Sequence, residues 1–499
     1  MARDHLLVID QGTTSTRVIV YDQRLRVAGQ SQLEVLPRYP RPGWVEHDAE
    51  EIMRSVGSQT TGALIEAGVR ADRIAGLGLT NQRETTIVWD RATGQPIGPA
   101  LVWQDRRTAE ICERLRPEQG WVSKRTGLVI DPYFSATKIA WILDHVAGAR
   151  GLAEQGSLAA GTVDSYLIWR LTAGRAHVTD QTNASRTLLM DLSTLAWDAD
   201  LCDLFGVPRR ILPTILPSRG EFGRTLGLDF LPDGLPILGV AGDQHASLAG
   251  QGCVQAGQAK CTYGTGAFLL VHTGARIVPS TRGLITTLAA SVEEGPPQYA
   301  LEGSVFVAGA AVQWFRDGLE AIASAPEIGA LAESADPASE VVFVPALTGL
   351  GAPYWAPLAR GAILGLTRAT TLADLAKATL EGVAFQVADL IDAMSADLGS
   401  PLADFRVDGG MARSDPFLQL QADILGLPIT RSPHSESTAL GAALLAGLGG
   451  NLWTDAASAL ALVEENGLRF EPRTSAAGRA AALGRWRKAV ASVIEYARQ

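Results

Sequence analysis

Cysteine is scarce in this chain of 499 residues: Cys112, Cys202, Cys253 and Cys261 are the only four, with no C-x-x-C pair and no metal-finger spacing. That excludes a disulfide framework and leaves buried free thiols in a reducing compartment as the expectation. Long apolar runs are also missing. No stretch reaches the roughly 18 uninterrupted apolar residues that a bilayer demands, and the opening run Leu6–Ile9 is too short for a secretion signal. Basic clusters are missing as well: 43 basic residues against 53 acidic ones give a net charge of −10, with no run of five cations. Nucleic acid and acidic membrane surfaces are therefore excluded as expected partners, no membrane insertion is expected, and the cytoplasm is the expected location. The G-x-x-x-x-G-K-[ST] loop is absent, so any nucleotide must be held by another kind of cradle.

What is present is a large apolar fraction, 46%, enough to bury sizeable cores in two to four domains. The runs Leu6–Ile9 and Val18–Tyr21, joined by a turn at Gly12–Ser15, predict a β-hairpin with an unusually polar tip. A helix is expected to start near Asp48, with Glu51 in capping-box spacing. The runs Ile74–Leu79 and Thr86–Trp89 alternate with helical patterns at Thr137–His145 and Val163–Leu171, which argues for an α/β fold. Near residue 250 the pattern restarts: Ala259–Tyr263, a Gly264-Thr265-Gly266 turn, then Phe268–His272. We read an approximate internal duplication, with domains at 1–250 and 251–499. In the second half, Leu372, Leu375, Thr379, Val383, Val387, Leu390 and Met394 recur at helical spacing. Phe405–Val407 predicts a short strand ending in Asp408-Gly409-Gly410, followed by a helix through Leu418–Leu425.

Three constellations carry chemistry. The tip Asp10-Gln11-Gly12-Thr13-Thr14-Ser15-Thr16-Arg17 puts an acid, a glycine, hydroxyls and a cation together, which suits a polyphosphate; Asp10 is the candidate Mg²⁺ ligand, acting through water. A plain hydroxyl-rich turn is the alternative. Asp243, just past the apolar run Pro236–Val240, lies where side chains project from a strand's end into a crevice. It suits a base for phosphoryl transfer, or otherwise a helix cap. Arg83 and Glu84 follow a strand and offer a cation and an anion to a polyol, with Trp103, Tyr133 and Phe268 to cover its carbons. The alternative is a surface ion pair with core aromatics.

The segments Tyr133–His145 (YFSATKIAWILDH) and Gly361–Glu381 (GAILGLTRATTLADLAKATLE) resemble two long signatures of the FGGY carbohydrate kinases, and the resemblance runs from about residue 5 to about 450. It implies two ribonuclease-H-like domains of the actin/hexokinase ATPase type flanking a catalytic cleft, ATP and Mg²⁺ as cofactors, and Asp243 as catalytic base. It further implies glycerol as substrate, at the head of its catabolism, through Arg83, Glu84, Trp103, Tyr133, Asp243, Gln244 and Phe268. By the same resemblance the nucleotide meets Thr13, Thr14, Ser15, Arg17, Thr265, Gly266, Gly309, Gln313, Gly410 and Ser414, and a homodimer or homotetramer is implied. Ser414 stands where an Asn is usual and His245 where a second Gln is common. Arg224 to Gly239 lacks the Gly- and Arg-rich loop with which some members bind fructose bisphosphate, and it has no histidine for a phosphotransferase partner. Another polyol or a ketose as substrate, or an actin-like ATPase without kinase activity, are the alternatives.

Overall fold

The computed structural model describes residues 3–463 and 467–498. Two sheets organise it. In the first, of six strands, the hairpin His5–Gln11 and Ser15–Asp22 is extended on one side by Val27–Glu34. On the other side Ile74–Asn81 and then Pro236–Gly242 are added in parallel, and Arg219–Arg224 closes the edge. Successive side chains on a strand point to opposite faces, so this sheet is apolar on both. Leu7, Ile9, Val18, Val20, Leu77 and Leu79 pack on the helices Ala49–Ala67 and Val163–Leu171. Leu6, Val8, Ile19 and Tyr21 pack on Ser437–Gly449, a helix from the far end of the chain. The helix at 49 starts as expected: Asp48 caps it by accepting from the N–H groups of Glu50 and Glu51.

The second sheet, of seven strands, repeats the plan. Gln258–Tyr263 and Ala267–Gly274 form the hairpin, Tyr299–Val305 and Ile285–Leu288 extend it on one side, and Asp404–Gly409 joins in parallel on the other. One face carries Cys261, Tyr263, Leu269, Val271, Leu301, Phe405 and Val407 into a core with the helices Leu372–Leu398 and Asp415–Leu425. The opposite face differs in kind. Register pairs Asp408 with Thr262 and Thr262 with Phe268, and it pairs Lys260 with Leu270 and Leu270 with Glu302. These residues share the face turned toward the first lobe, where Leu270 meets Leu248.

A hairpin with a parallel strand added beside it, built twice and flanked by helices, is the actin/hexokinase-type fold. The lobes meet through two helices packed backbone to backbone: a Cβ added at Gly441 would lie 1.8 Å from the Ala246 carbonyl oxygen. No helix among the described residues is long and apolar enough to cross a membrane.

Candidate active site

The strand Pro236–Gly242 delivers Asp243 as the first residue of the helix Asp243–Gly250. Its Oδ1 accepts from the Gln244 N–H at 2.7 Å and lies 3.1 Å from Arg83 Nε. Oδ1 is thus held from two sides, and the side chain keeps 30% of its exposure.

Arg83 and Glu84 stand next to each other in sequence but do not form the tight pair that adjacency suggests; their closest charged atoms are 3.9 Å apart. Each takes a distant partner. The two terminal nitrogens of Arg83 grip both oxygens of Glu302, at 2.6 and 2.9 Å. Glu84 Oε1 accepts from Arg186 Nε at 2.5 Å, and Arg186 also reaches Glu302 Oε1 at 3.2 Å. All four charges are buried. Burial pushes the Glu84 carboxyl up while the two guanidinium groups pull it down. Glu302 is held far below the usual carboxylate range, because Arg186 and Arg83 outweigh the cost of its burial. Neither Arg186 nor Glu302 is marked by any motif in the sequence.

Glu84 adopts a positive φ of 61°, a strained conformation for a residue with a side chain. Its carbonyl is pinned by the hydroxyls of Ser135 and Thr86, each at 3.0 Å. The strand end before it is tied down too: Asn81 and Asn183 exchange side-chain hydrogen bonds at 3.0 and 3.1 Å. Asn183 belongs to the short helix Gln181–Ala184, capped by the buried Asp180. From the same helix, Thr182 Oγ1 accepts from the Gly242 N–H, next to Asp243, at 2.9 Å. The segment 180–186 therefore scaffolds both turns, a role sequence reasoning missed.

Two of the three aromatic candidates are in direct contact. Trp103 and Tyr133 meet edge to face at 5.5 Å, and Trp103 Nε1 donates to Thr13 Oγ1 at 2.9 Å, which joins this wall to the polar hairpin tip. Lys138 holds the Tyr133 segment in place, its ammonium donating to the carbonyls of Pro132, Tyr133 and Phe134. Phe268 is half-buried on the second sheet, on the face that carries Glu302. Gln244 is buried, and its Oε1 accepts from the buried ammonium of Lys260. His245, buried beneath Arg83, is kept neutral by burial and by that guanidinium, and its Nε2 lies 3.1 Å from Thr287 Oγ1.

Three glycine turns border the cleft. At the first, Gly12 bonds to Ser15 across the hairpin, Gln82 Nε2 donates to the Gly12 carbonyl at 3.1 Å, and Thr14 is exposed. At the second, the Gly309 N–H donates to the Gly264 carbonyl and the Ala310 N–H to that of Thr265, leaving Thr265 exposed and Gly266 half-buried. At the third, Gly409 has φ +91° and lies against Tyr263, and Gly410 is exposed. Gln313 is exposed at the end of the short helix that Gly309 begins. Two nucleotide candidates are engaged elsewhere. Arg17 is hydrogen-bonded to Gln32 and ion-paired with Glu436. Ser414 caps the helix at 415 by accepting from the Phe417 N–H at 3.3 Å. Asp10 feels Asp243: burial and that neighbouring charge push its carboxyl up to about 7 against the pull of Arg17.

Two lobes of the same plan, glycine turns on both sides of a cleft and a carboxylate between them, define a two-lobed carbohydrate kinase. The chain belongs to the FGGY family of carbohydrate kinases, whose N-terminal domain matches residues 5–250 and whose C-terminal domain matches residues 259–449. It is similar to the glycerol kinase of Methylibium petroleiphilum, 54% identical over 98% of this chain and 99% of the relative. It is likewise similar to that of Myxococcus xanthus, 50% identical over 97% and 98%. Among solved structures it resembles Plasmodium falciparum glycerol kinase with ADP, with a TM-score of 0.93, 37% identity, and 99% and 98% of the two chains covered.

Proposed function

We propose that this enzyme transfers the terminal phosphoryl group of Mg·ATP to glycerol, giving sn-glycerol 3-phosphate and ADP, the entry step of glycerol breakdown. The observation that carries this reading is the convergence of Arg83, Glu84 and Asp243 beside the Trp103–Tyr133 corner. Vicinal hydroxyls accept from a guanidinium and donate to a carboxylate, and the ring edges cover a short carbon chain. The glycerol kinases to which the chain is similar support the choice of polyol.

Asp243 Oδ2 takes the proton of the terminal hydroxyl as its oxygen bonds to phosphorus, and the bond to the bridging oxygen breaks to release ADP. Arg83 and the Gln244 N–H keep Oδ1 fixed, so the carboxylate presents one oxygen in one orientation. On this reading Thr13, Thr14 and Ser15 meet the phosphates from the first lobe and Thr265, Gly266, Gly309 and Gly410 from the second, and Arg17 joins them on exchanging Glu436 for the nucleotide. On the same reading Gln313 meets the adenosine, and Ser414 meets it while its hydroxyl caps the helix at 415.

Among the described residues no three His, Cys, Asp or Glu side chains gather as metal ligands. Mg²⁺ does not need such a cage, since it keeps several waters and takes one or two carboxylates plus phosphate oxygens. Asp10 lies close enough to Asp243 to feel its charge, and burial together with that charge raises its carboxyl; a hydrated cation beside Asp10 would offset the repulsion between the two carboxylates. When bound with the nucleotide, Mg²⁺ neutralises charge on the phosphate oxygens.

An ADP-release assay over glycerol, erythritol, xylulose and related polyols, with and without Mg²⁺, tests the reading. Turnover should be highest with glycerol and should stop without the metal. Faster turnover of a ketose, or nucleotide hydrolysis indifferent to polyols, overturns it.

A further inference from the structure

The residues assigned to the polyol all come from the first lobe except Phe268, yet the two charges among them that bind hydroxyls are oriented from outside that set. Arg83 has five N–H donors. One points at Asp243 and two are taken by Glu302, which lies on the second-lobe strand Tyr299–Val305. Glu84 has one oxygen taken by Arg186. Arg186 is itself anchored to Glu302 and lies over the rings of Tyr133 and Phe134, 5.6 and 5.2 Å from their centres. One carboxylate of the second lobe thus orients two first-lobe guanidinium groups. Those groups fix which donors of Arg83 and which oxygen of Glu84 remain for substrate.

A purely structural pair would need no such arrangement, because a buried ion pair adds little stability over an apolar replacement. Here the four charges alternate in sign, and each touches a residue of the polyol set or is one. We propose that Glu302 and Arg186 are the positioning residues of the polyol site, so that glycerol affinity is set by the apposed lobes together and not by the first lobe alone. This rests on the function proposed above.

Glu302→Gln keeps the shape and removes the charge that grips both guanidinium groups. Arg186→Lys keeps the charge and loses the planar fork that spans Glu84 and Glu302. Steady-state kinetics with each substrate varied in turn should show KM for glycerol rising at least about tenfold in both variants, the effect of losing a charge-assisted hydrogen bond. KM for Mg·ATP should stay within about twofold and thermal unfolding should stay cooperative. If the parent phosphorylates glycerol and both variants keep its glycerol KM, the inference falls and the proposed function stands. If a variant loses cooperative unfolding, or loses ATP and glycerol affinity alike, the pair serves the fold and the inference falls. If the parent itself leaves glycerol unmodified, both fall.

Discussion

At the residue scale, the site is held by ionisable groups buried just behind those that face the cleft. Asp164 is the clearest case apart from the catalytic set. It is fully buried under the first sheet, accepts from Thr162 and Thr179, and is raised to about 7 by burial and by the charge of Asp180. A carboxyl whose folded affinity for protons exceeds its ordinary value binds more protons folded than unfolded, so its contribution to stability falls as pH rises from 3.8 to about 7. Asp164→Asn, with no charge to bury, should gain thermal stability relative to the parent across that window, with the difference constant above it. Melting curves at several pH values check this. A difference independent of pH would mean that Asp164 is not protonated in the folded protein.

At the scale of single elements, the turns were the most legible parts of the sequence, and register the least. Hairpins at 5–22 and 258–274 and the helix at 372–398 stand where alternation and helical spacing placed them. Their signals are local: apolar periodicity broken by glycine. Arg186 and Glu302 carry no such signal, because their meaning depends on which residue of another strand or turn they face. The same limit explains the Arg83–Glu84 pair, which adjacency suggested and which the strained backbone at Glu84 separates. The second glycine turn gives a sharper prediction. A Cβ on Gly309 would lie 2.6 Å from the Gly264 carbonyl oxygen, too close to fit without moving one turn off the other. Overpacking of this kind costs about 1–3 kcal/mol. Gly309→Ala should therefore raise KM for Mg·ATP roughly tenfold and leave glycerol binding, measured by calorimetry, unchanged.

At the scale of the whole molecule, the helix Ser437–Gly449 lies late in the chain yet packs on the first sheet, against the helix that Asp243 begins. A reading of the chain in consecutive halves has no way to show this, since a helix that is apolar on every side beyond Ser437 and Thr438 does not announce which sheet it covers. Its contact with the helix at 243 is too close for side chains: Gly250 approaches Ser437 and Gly441 approaches Ala246, both backbone to backbone. Gly441→Ala should lower the melting temperature by about 1–3 °C, the shift that about 1–3 kcal/mol produces in a chain of this length. It should lower turnover as well, because the displaced helix carries Asp243 at its start. A full-activity variant with an unchanged melting curve would show that the two helices separate freely.

The central claim is that Asp243 takes a proton from the terminal hydroxyl of glycerol while the cleft holds Mg·ATP. Carbon-13 and phosphorus-31 NMR of labelled glycerol mixed with Mg·ATP and enzyme tests it most directly. The parent should convert glycerol to its terminal phosphate in step with ADP formation, and Asp243→Asn should slow this by at least about a hundredfold while still binding both substrates. Phosphorylation at near-parental rate by Asp243→Asn, or ADP formed with glycerol unchanged, would contradict the account.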